Sequence, residues 1–142
     1  MSKDEPADNY IRKVVTVLAV TDGDTIKMII DLGFDVHRAE DVRMLGYNAA
    51  EIHSADPDER ECSIIAKRLL VEFACDIQGA VVQTVKGGTD LYGRLLATVW
   101  AAGVNVNQKM LDSGIVVPYD GKGARPKTAW AEVLKSYKAR AK

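Results

Sequence analysis

The fold of this chain follows from one early stretch, IRKVVTVLAVTDGDTIKMIID, which spans residues 11–31. Residues 11–20 are rich in valine, and β-branched residues favour a pleated, half-buried strand. The Asp-Gly-Asp of residues 22–24 interrupts the run, and Asp-Gly between two apolar runs is a strong turn signal. Residues 25–31 then resume an extended pattern. The stretch therefore predicts two strands joined by a tight turn.

Beyond this hairpin the chain alternates polar loops, short strands and helices. Residues 32–40 are polar and loop-like. Residues 56–59, Asp-Pro-Asp-Glu, are typical of a helix start, since they combine an Asp cap, a proline at the first helical position and acids in the first turn. The remaining patterns predict strands at 41–47, 80–85 and 94–100, a short helix at 107–113, and an amphipathic last helix with Trp130, Val133, Leu134 and Tyr137 on one face.

The order of these elements, β-β-β-α-β-β-α-α, indicates the fold class. It predicts an α+β, mainly β fold: a five-stranded OB-fold Greek-key barrel with three flanking helices. The chain has 142 residues, of which 47% are hydrophobic, and this is enough for the core of one domain. We expect residues 1–10 to be a flexible N-terminal segment and residues 11–142 to form a single domain with a basic C-terminal helix.

Charge is distributed unevenly along the chain, although the net charge is only −1. From residue 121 onward there are seven basic residues and one acid, so the first 120 residues carry a net charge of −7 and the rest +6. A basic segment of this kind is either a solvated helix or an electrostatic contact for a phosphate backbone. The asymmetry by itself does not separate these two interpretations.

The chain carries no recognisable membrane or secretory segment. No apolar run has the length needed to cross a bilayer, and the start, MSKDEPADNY, lacks the features of a signal peptide, so we expect a cytoplasmic protein. Cys62 and Cys75 lie 13 residues apart in one predicted helix, which directs them to nearly opposite faces. We therefore expect two reduced thiols, in keeping with a reducing cytosol.

Several polar residues stand where strands end, and each has a simple structural interpretation. Asp22 and Asp24 flank a turn glycine, Arg43 lies in a short apolar strand, and Glu51 ends the segment that leaves this strand. Residues 90–94, Asp-Leu-Tyr-Gly-Arg, have the pattern of a turn with a polar exit. Taken singly, these residues are more typical of turns and solvated strand positions than of catalysis.

Taken together and in order, the same stretches resemble the signature of the staphylococcal nuclease (thermonuclease) family. That signature runs Asp-Gly-Asp-Thr, then Arg-Leu-x-x-x-Asp-x-Pro-Glu, then Asp-x-Tyr-Gly-Arg. Here the motifs appear as DGDT at residues 22–25, RMLGYNAAE at 43–51 and DLYGR at 90–94. The resemblance covers about residues 14–119. It implies an SNase-like OB-fold enzyme that hydrolyses phosphodiester bonds of DNA and/or RNA with bound calcium, leaving 3′-phosphate ends.

The resemblance also implies a calcium site. Calcium prefers six to eight oxygen ligands, which would come from the Asp24 carboxylate, the Asn48 side-chain oxygen, the Ala49 backbone carbonyl and water. The chain departs from the family here, because the second metal-binding aspartate falls on Asn48 and the motif proline on Ala50. A lysine that often precedes the motif tyrosine is Leu91. Asn48 removes one negative charge from the implied metal site.

Catalytic and substrate-binding roles carry over in the same way. Arg43 and Arg94 would stabilise the negative charge of the transition state with their planar guanidinium groups. Glu51 would orient or deprotonate the attacking water. The resemblance further implies that Tyr92 hydrogen-bonds a terminal phosphate and that Tyr119 stacks on a base.

A second interpretation keeps the fold without the chemistry. A catalytically weakened or inactive OB-fold module would bind single-stranded nucleic acid or a protein partner, and Asn48 and the acidic body of the chain favour it. Asp24, Arg43, Glu51 and Arg94 favour the enzyme, since a pure binding module has no physical need for that set. We expect a monomer that acts on nucleic acid, preferably single-stranded, and has no membrane partner.

Overall fold

The computed structural model describes residues 10–74, 79–89, 93–121 and 123–140, except for the side chains of residues 85–89. Cys75, Tyr92 and nearly all of the expected N-terminal segment lie outside the described residues. The sequence-based expectations for them therefore stay predictions.

The described part of the chain contains eight strands and three helices. In chain order these are β1 (Ile11–Asp22), β2 (Thr25–Asp31), β3 (His37–Met44), β4 (Gly46–Asn48), α1 (Pro57–Ala74), β5 (Val81–Thr89), β6 (Leu95–Ala101), β7 (Val104–Asn105), α2 (Val106–Ser113), β8 (Val117–Tyr119) and α3 (Trp130–Arg140). All five predicted barrel strands and all three predicted helices are present. The predicted strand 41–47 is divided at Leu45, because β3 ends at Met44 and β4 begins at Gly46 and pairs with β8. The sequence also did not predict β7 and β8, which contain only two and three residues.

Five of the strands close a barrel. Strand β1 pairs antiparallel with both β2 and β5, β2 pairs with β3, and β5 pairs with β6. A parallel contact between β3 and β6, in which Arg43 is opposite Leu96, closes the ring. The closed five-stranded barrel with three helices confirms the predicted α+β, mainly β OB-like fold.

Strand β3 is longer at its start than the sequence indicates. Residues 32–40 are predicted to be a loop, but β3 begins at His37 and pairs with β2 along its whole length. The first three residues of β3 are exposed, so they show no alternation of apolar and polar positions. Their strand conformation comes from hydrogen bonding to β2, which a periodicity argument does not detect.

The turn between β1 and β2 is packed tightly against the rest of the molecule. A Cβ atom placed on Gly23 would lie 2.6 Å from the Cβ of Ala66 in α1 and 2.9 Å from the Cβ of Ala49. Only glycine permits this close approach. The turn that carries Asp24 is therefore held between α1 and the segment that follows β4.

The described cysteine is a buried thiol. Cys62 lies in α1 and is free, and its Sγ is 3.6 Å from the carbonyl oxygen of Trp130 at the start of α3. Burial, assisted by nearby acids of α1, raises the pKa of this thiol to about 11. Cys62 therefore acts as a core residue.

None of the helices in the described ranges has the length and apolar character needed to cross a membrane.

Candidate functional site

The Asp24 carboxylate lies at the centre of the candidate site. It is only 3% exposed, because the tight turn after β1 directs it inward. Its Oδ1 accepts a hydrogen bond from the Thr25 hydroxyl at 3.1 Å, and its Oδ2 accepts one from the Ala49 N–H at 3.0 Å. Arg43 Nη2 lies 3.2 Å from the same Oδ2. Both carboxylate oxygens are therefore engaged inside the protein.

Arg43 comes from the end of β3 and is buried, with 3% of its surface exposed. Besides Asp24, its Nη2 contacts Asn48 Oδ1, to which it donates a 3.1 Å hydrogen bond. The Tyr119 ring packs against the guanidinium, with 5.6 Å from Cζ to the ring centroid. The Nε of Arg43 is buried and has no hydrogen-bond partner among the described residues. Arg43 thus joins two of the predicted metal ligands, and one of its donors remains unpaired.

A second carboxylate stands beside Asp24. Asp22 Oδ1 accepts a hydrogen bond from the Asp24 N–H at 3.1 Å. Burial, followed by the hydrogen bond and charge of the Asp24 side chain, raises the pKa of Asp22 from its usual 3.8 to about 6. Burial also works to raise the pKa of Asp24, but hydrogen bonding from Asp22, the charge of Arg43 and the Ala49 N–H outweigh it and lower that pKa. Below about pH 6 the pair therefore holds its proton on Asp22, while Asp24 carries the negative charge.

Arg94 joins this cluster through Thr25. Its Nη1 donates a 3.1 Å hydrogen bond to Thr25 Oγ1, and the Thr25 hydroxyl donates in turn to Asp24. Arg94 directly precedes β6, whose parallel contact with β3 brings it to this end of the barrel. The structure thus brings together Asp24, Arg43, Asn48, Ala49 and Arg94 of the predicted site.

Tyr47 is a buried residue of the site that the sequence analysis does not assign. Its hydroxyl donates a 2.9 Å hydrogen bond to the Gly23 carbonyl oxygen. Burial, together with the charges of Asp24 and Asp22, raises its pKa well above 10.0, so the hydroxyl keeps its proton. The available signal is the position of Tyr47 inside the second motif, directly before Asn48.

Asn107, on α2, is a second buried residue near the site to which the sequence motifs assign no role. Its side chain donates hydrogen bonds to the carbonyl oxygens of Leu45 at 2.8 Å and Ala97 at 2.9 Å. Its Oδ1 accepts a third bond from the Val99 N–H at 2.8 Å. Asn107 thereby ties β6 to the residue between β3 and β4, which carry Arg43 and Asn48.

Glu51 lies apart from the buried cluster. Its side chain is 54% exposed and forms an ion pair with Arg125, and its N–H donates a 2.9 Å hydrogen bond to Glu59 Oε2. By sequence, Arg125 is only one of the basic residues from position 121 onward. The structure places Arg125 beside the predicted catalytic carboxylate, and a residue 74 positions away gives no local signal of this pairing.

Tyr119 ends β8, which pairs with β4 and brings the tyrosine opposite Gly46. Its hydroxyl donates a 2.7 Å hydrogen bond to the Gly123 carbonyl oxygen, while its ring covers Arg43. The ring is therefore at the site, where the resemblance expects a base to stack.

The chemistry of the donor atoms decides whether calcium fits this site. The described residues contain no group of three or more His, Cys, Asp or Glu side chains that could hold a metal. Asp24 and Asn48 nevertheless direct a carboxylate oxygen and an amide oxygen to the same position. Arg43 Nη2 lies at that position and contacts both oxygens. Oxygen atoms of these types suit a hard cation such as calcium. The types of oxygen atom in Asp24 and Asn48 therefore fit calcium, and Arg43 contacts these same oxygens.

The closed barrel and the buried Asp–Arg–Asn cluster at its end define an OB-fold protein with a site for polar chemistry. A family model described as "Staphylococcal nuclease homologue" matches residues 41–142, which is most of the chain. The protein therefore belongs to the staphylococcal nuclease homologue family, and its function is nuclease-like or nucleic-acid-binding. No curated protein matches the chain.

Proposed function

We propose that the protein is a calcium-dependent nuclease that hydrolyses phosphodiester bonds of DNA and/or RNA and leaves 3′-phosphate ends. One observation carries the proposal: the buried cluster in which Arg43 Nη2 lies 3.2 Å from Asp24 Oδ2 and 3.1 Å from Asn48 Oδ1. Burying an arginine and a carboxylate costs free energy that replacement by apolar side chains avoids. A barrel that served only as a scaffold would not need them.

The two arginines are suited to bind the scissile phosphate. Arg43 has a buried Nε–H without a hydrogen-bond partner among the described residues, and an unpaired buried donor costs about 1–3 kcal/mol. A phosphate oxygen that accepts from this atom would recover that cost. Arg94, held by Thr25 at 3.1 Å, would contact a second oxygen. Planar guanidinium groups match phosphate geometry and stabilise the extra charge of the transition state.

Asp24, Asn48 and the Ala49 carbonyl would hold calcium. Bound there, calcium would supply charge stabilisation to a non-bridging phosphate oxygen. Asp24 is prepared for this role, because the effect of burial on its pKa is outweighed by hydrogen bonding from Asp22 and the charge of Arg43, which lower that pKa and keep Asp24 ionised.

Glu51 would orient or deprotonate the attacking water. Its exposed carboxylate is accessible to solvent, and general-base catalysis of this kind contributes roughly 10²–10⁴-fold. Arg125 would hold the carboxylate at the edge of the site. Tyr119 would stack on a base, and Tyr92 would hydrogen-bond a terminal phosphate. We propose a monomer, with single-stranded substrates preferred because only their bases are free to stack.

A second candidate function is binding without hydrolysis. Two features favour it: Asn48 removes one negative charge from the metal site, and Arg125 pairs with Glu51. In this case the arginines and the basic tail would bind single-stranded nucleic acid, or the barrel would bind a protein partner, and no bond would be cleaved.

Digestion of single-stranded DNA and RNA, with calcium and with a chelator, separates the two functions. The enzyme is expected to cleave only with calcium, and a phosphatase should remove the terminal phosphate from the 3′ ends of the products. Asp24→Asn should abolish cleavage, while Asp35→Asn in the exposed loop between β2 and β3 serves as the matched control. Retained binding with no cleavage under any condition would favour the second function, and full activity in chelator would exclude calcium dependence.

A further inference from the structure

One side chain takes the position that a metal ion would need. Arg43 Nη2 lies 3.2 Å from Asp24 Oδ2 and 3.1 Å from Asn48 Oδ1, which are the two side-chain groups proposed to bind calcium. Asp24, Asn48 and Arg43 are only 3%, 4% and 3% exposed. Two cations that shared these oxygens would repel each other strongly, because little water is present to screen them.

We propose that Arg43 is the resident counter-cation of Asp24 and the hydrogen-bond donor to Asn48 in the metal-free protein, and that a divalent cation binds only when Arg43 releases both oxygens. The inference rests on the calcium site of the proposed function and adds an internal competitor to it. Asp24 is a buried carboxylate, and a buried carboxylate is stable in the folded state only when it is paired. The guanidinium therefore stabilises the fold until a metal ion replaces it.

The unpaired Nε–H of Arg43 indicates how the guanidinium would move when a metal ion binds. Nη2 contacts both oxygens, but Nε has no acceptor among the described residues. A small rotation of the guanidinium away from Asp24 would therefore give up contacts at Nη2 while allowing Nε to meet an incoming oxygen. The Tyr119 ring at 5.6 Å can remain in contact during this movement.

Calcium affinity in the absence of nucleic acid tests the competition directly. Arg43→Met replaces the guanidinium with an uncharged, unbranched side chain. Without the competing charge, calorimetry should show calcium binding at least about tenfold tighter than in the wild type. Lys27→Met removes the same charge from an exposed position on β2, and should change the affinity by less than about threefold. Arg43→Lys keeps the cation and should bind calcium nearly as weakly as the wild type.

The wild-type protein offers a second measurement that does not depend on whether a variant folds. The Nε–H of Arg43 gives a side-chain nitrogen–proton NMR signal, and calcium should shift this signal with the midpoint that calorimetry reports. Magnesium, which is smaller and keeps its water more firmly, should shift it less at equal concentration.

The outcomes separate this inference from the proposed function. Equal or weaker calcium binding by Arg43→Met, or an unmoved Arg43 signal at saturating calcium, would overturn the inference and leave the calcium site of the proposed function intact. No calcium binding by either protein at millimolar concentration would overturn both. These measurements involve no substrate and no turnover. Failure of the nuclease proposal, in contrast, appears in the digestion assays, in which calcium binding is not measured.

Discussion

The hydroxyl of Tyr47 donates a 2.9 Å hydrogen bond to the carbonyl oxygen of Gly23. This bond connects β4 to the turn between β1 and β2. The two ends of the candidate site, Asp24 on the turn and Asn48 next to Tyr47, are thereby held at a fixed distance. The positions of the predicted metal ligands Asp24 and Asn48 thus depend on the buried Tyr47, which acts through the Gly23 backbone.

Replacing Tyr47 with phenylalanine should destabilise the protein. The ring still fills its fully buried position, but the Gly23 carbonyl loses its partner, so we expect a loss of about 1–3 kcal/mol in the free energy of unfolding. Urea denaturation measures this loss. Tyr137→Phe on α3, where the ring is only half-buried, is the matched control and should change stability by less than about 0.5 kcal/mol. Equal effects of the two substitutions would show that the Gly23 contact does not stabilise the turn.

The raised pKa of Asp22 predicts an unusual pH dependence of stability. The folded protein binds this proton up to about pH 6, whereas the unfolded chain releases it near the usual 3.8. The folded state therefore holds more protons between these values, and the contribution of Asp22 to stability is present below pH 3.8 and is lost as the pH rises through 6.

Asp22→Asn mimics the protonated side chain and should remove this loss. The variant is expected to be more stable than the wild type above pH 6, by about 1–3 kcal/mol, with a flatter stability profile between pH 4 and 6. Urea denaturation at a series of pH values measures both. Asp35→Asn, in the exposed β2–β3 hairpin, removes the same charge and should leave the shape of the profile unchanged. A difference in stability between Asp22→Asn and the wild type that stays constant from pH 4 to 7 would contradict the assignment.

Glu51 and the basic tail should affect different kinetic quantities. Glu51→Gln is expected to reduce turnover by about two to four decades with little change in substrate affinity, because the general base acts on the chemical step. Steady-state kinetics on single-stranded DNA measure kcat and KM separately. Wild-type turnover in Glu51→Gln would mean that another group activates the water.

The matching variant replaces four basic residues of the tail, Lys135, Lys138, Arg140 and Lys142, with alanine. The variant should bind nucleic acid more weakly and with a flatter salt dependence, while kcat is retained. The reason is that binding through fewer phosphate contacts releases fewer counterions. Lys138 and Arg140 also contact Glu61 and the Asp112 carbonyl. A thermal melt is therefore needed to separate a lost phosphate contact from a loosened α3.

Asn48→Asp tests the departure from the family motif. A second carboxylate facing the site should tighten calcium binding, by about 1–3 kcal/mol at an effective dielectric near 20. Cleavage at low calcium should rise with it, and cleavage at saturating calcium should change less. Calorimetry and rates at a series of calcium concentrations measure the two effects. Equal calcium affinity in the two proteins would show that residue 48 does not face the metal.

The sequence by itself determined the elements whose signals are local. The Asp-Gly turn, the helix start at residues 56–59 and the alternation of strands and helices fixed the barrel class, because turn and capping preferences involve residues a few positions apart. The ordered motifs also identified Asp24, Arg43, Asn48, Ala49 and Arg94 as members of one site.

Tertiary structure alone decided how these residues are connected. The hydrogen bond from Arg94 to Thr25 spans 69 residues, and the one from Ala49 to Asp24 spans 25. Contacts of this range leave no periodicity in the chain, and the parallel β3–β6 pairing that produces the first of them is equally non-local. The sequence therefore identified the charged groups. The register of β3 on β2, in which Arg43 is opposite Thr25, decided that Arg43 would neutralise Asp24, and the path of the chain after β8 decided that Arg125 would pair with Glu51.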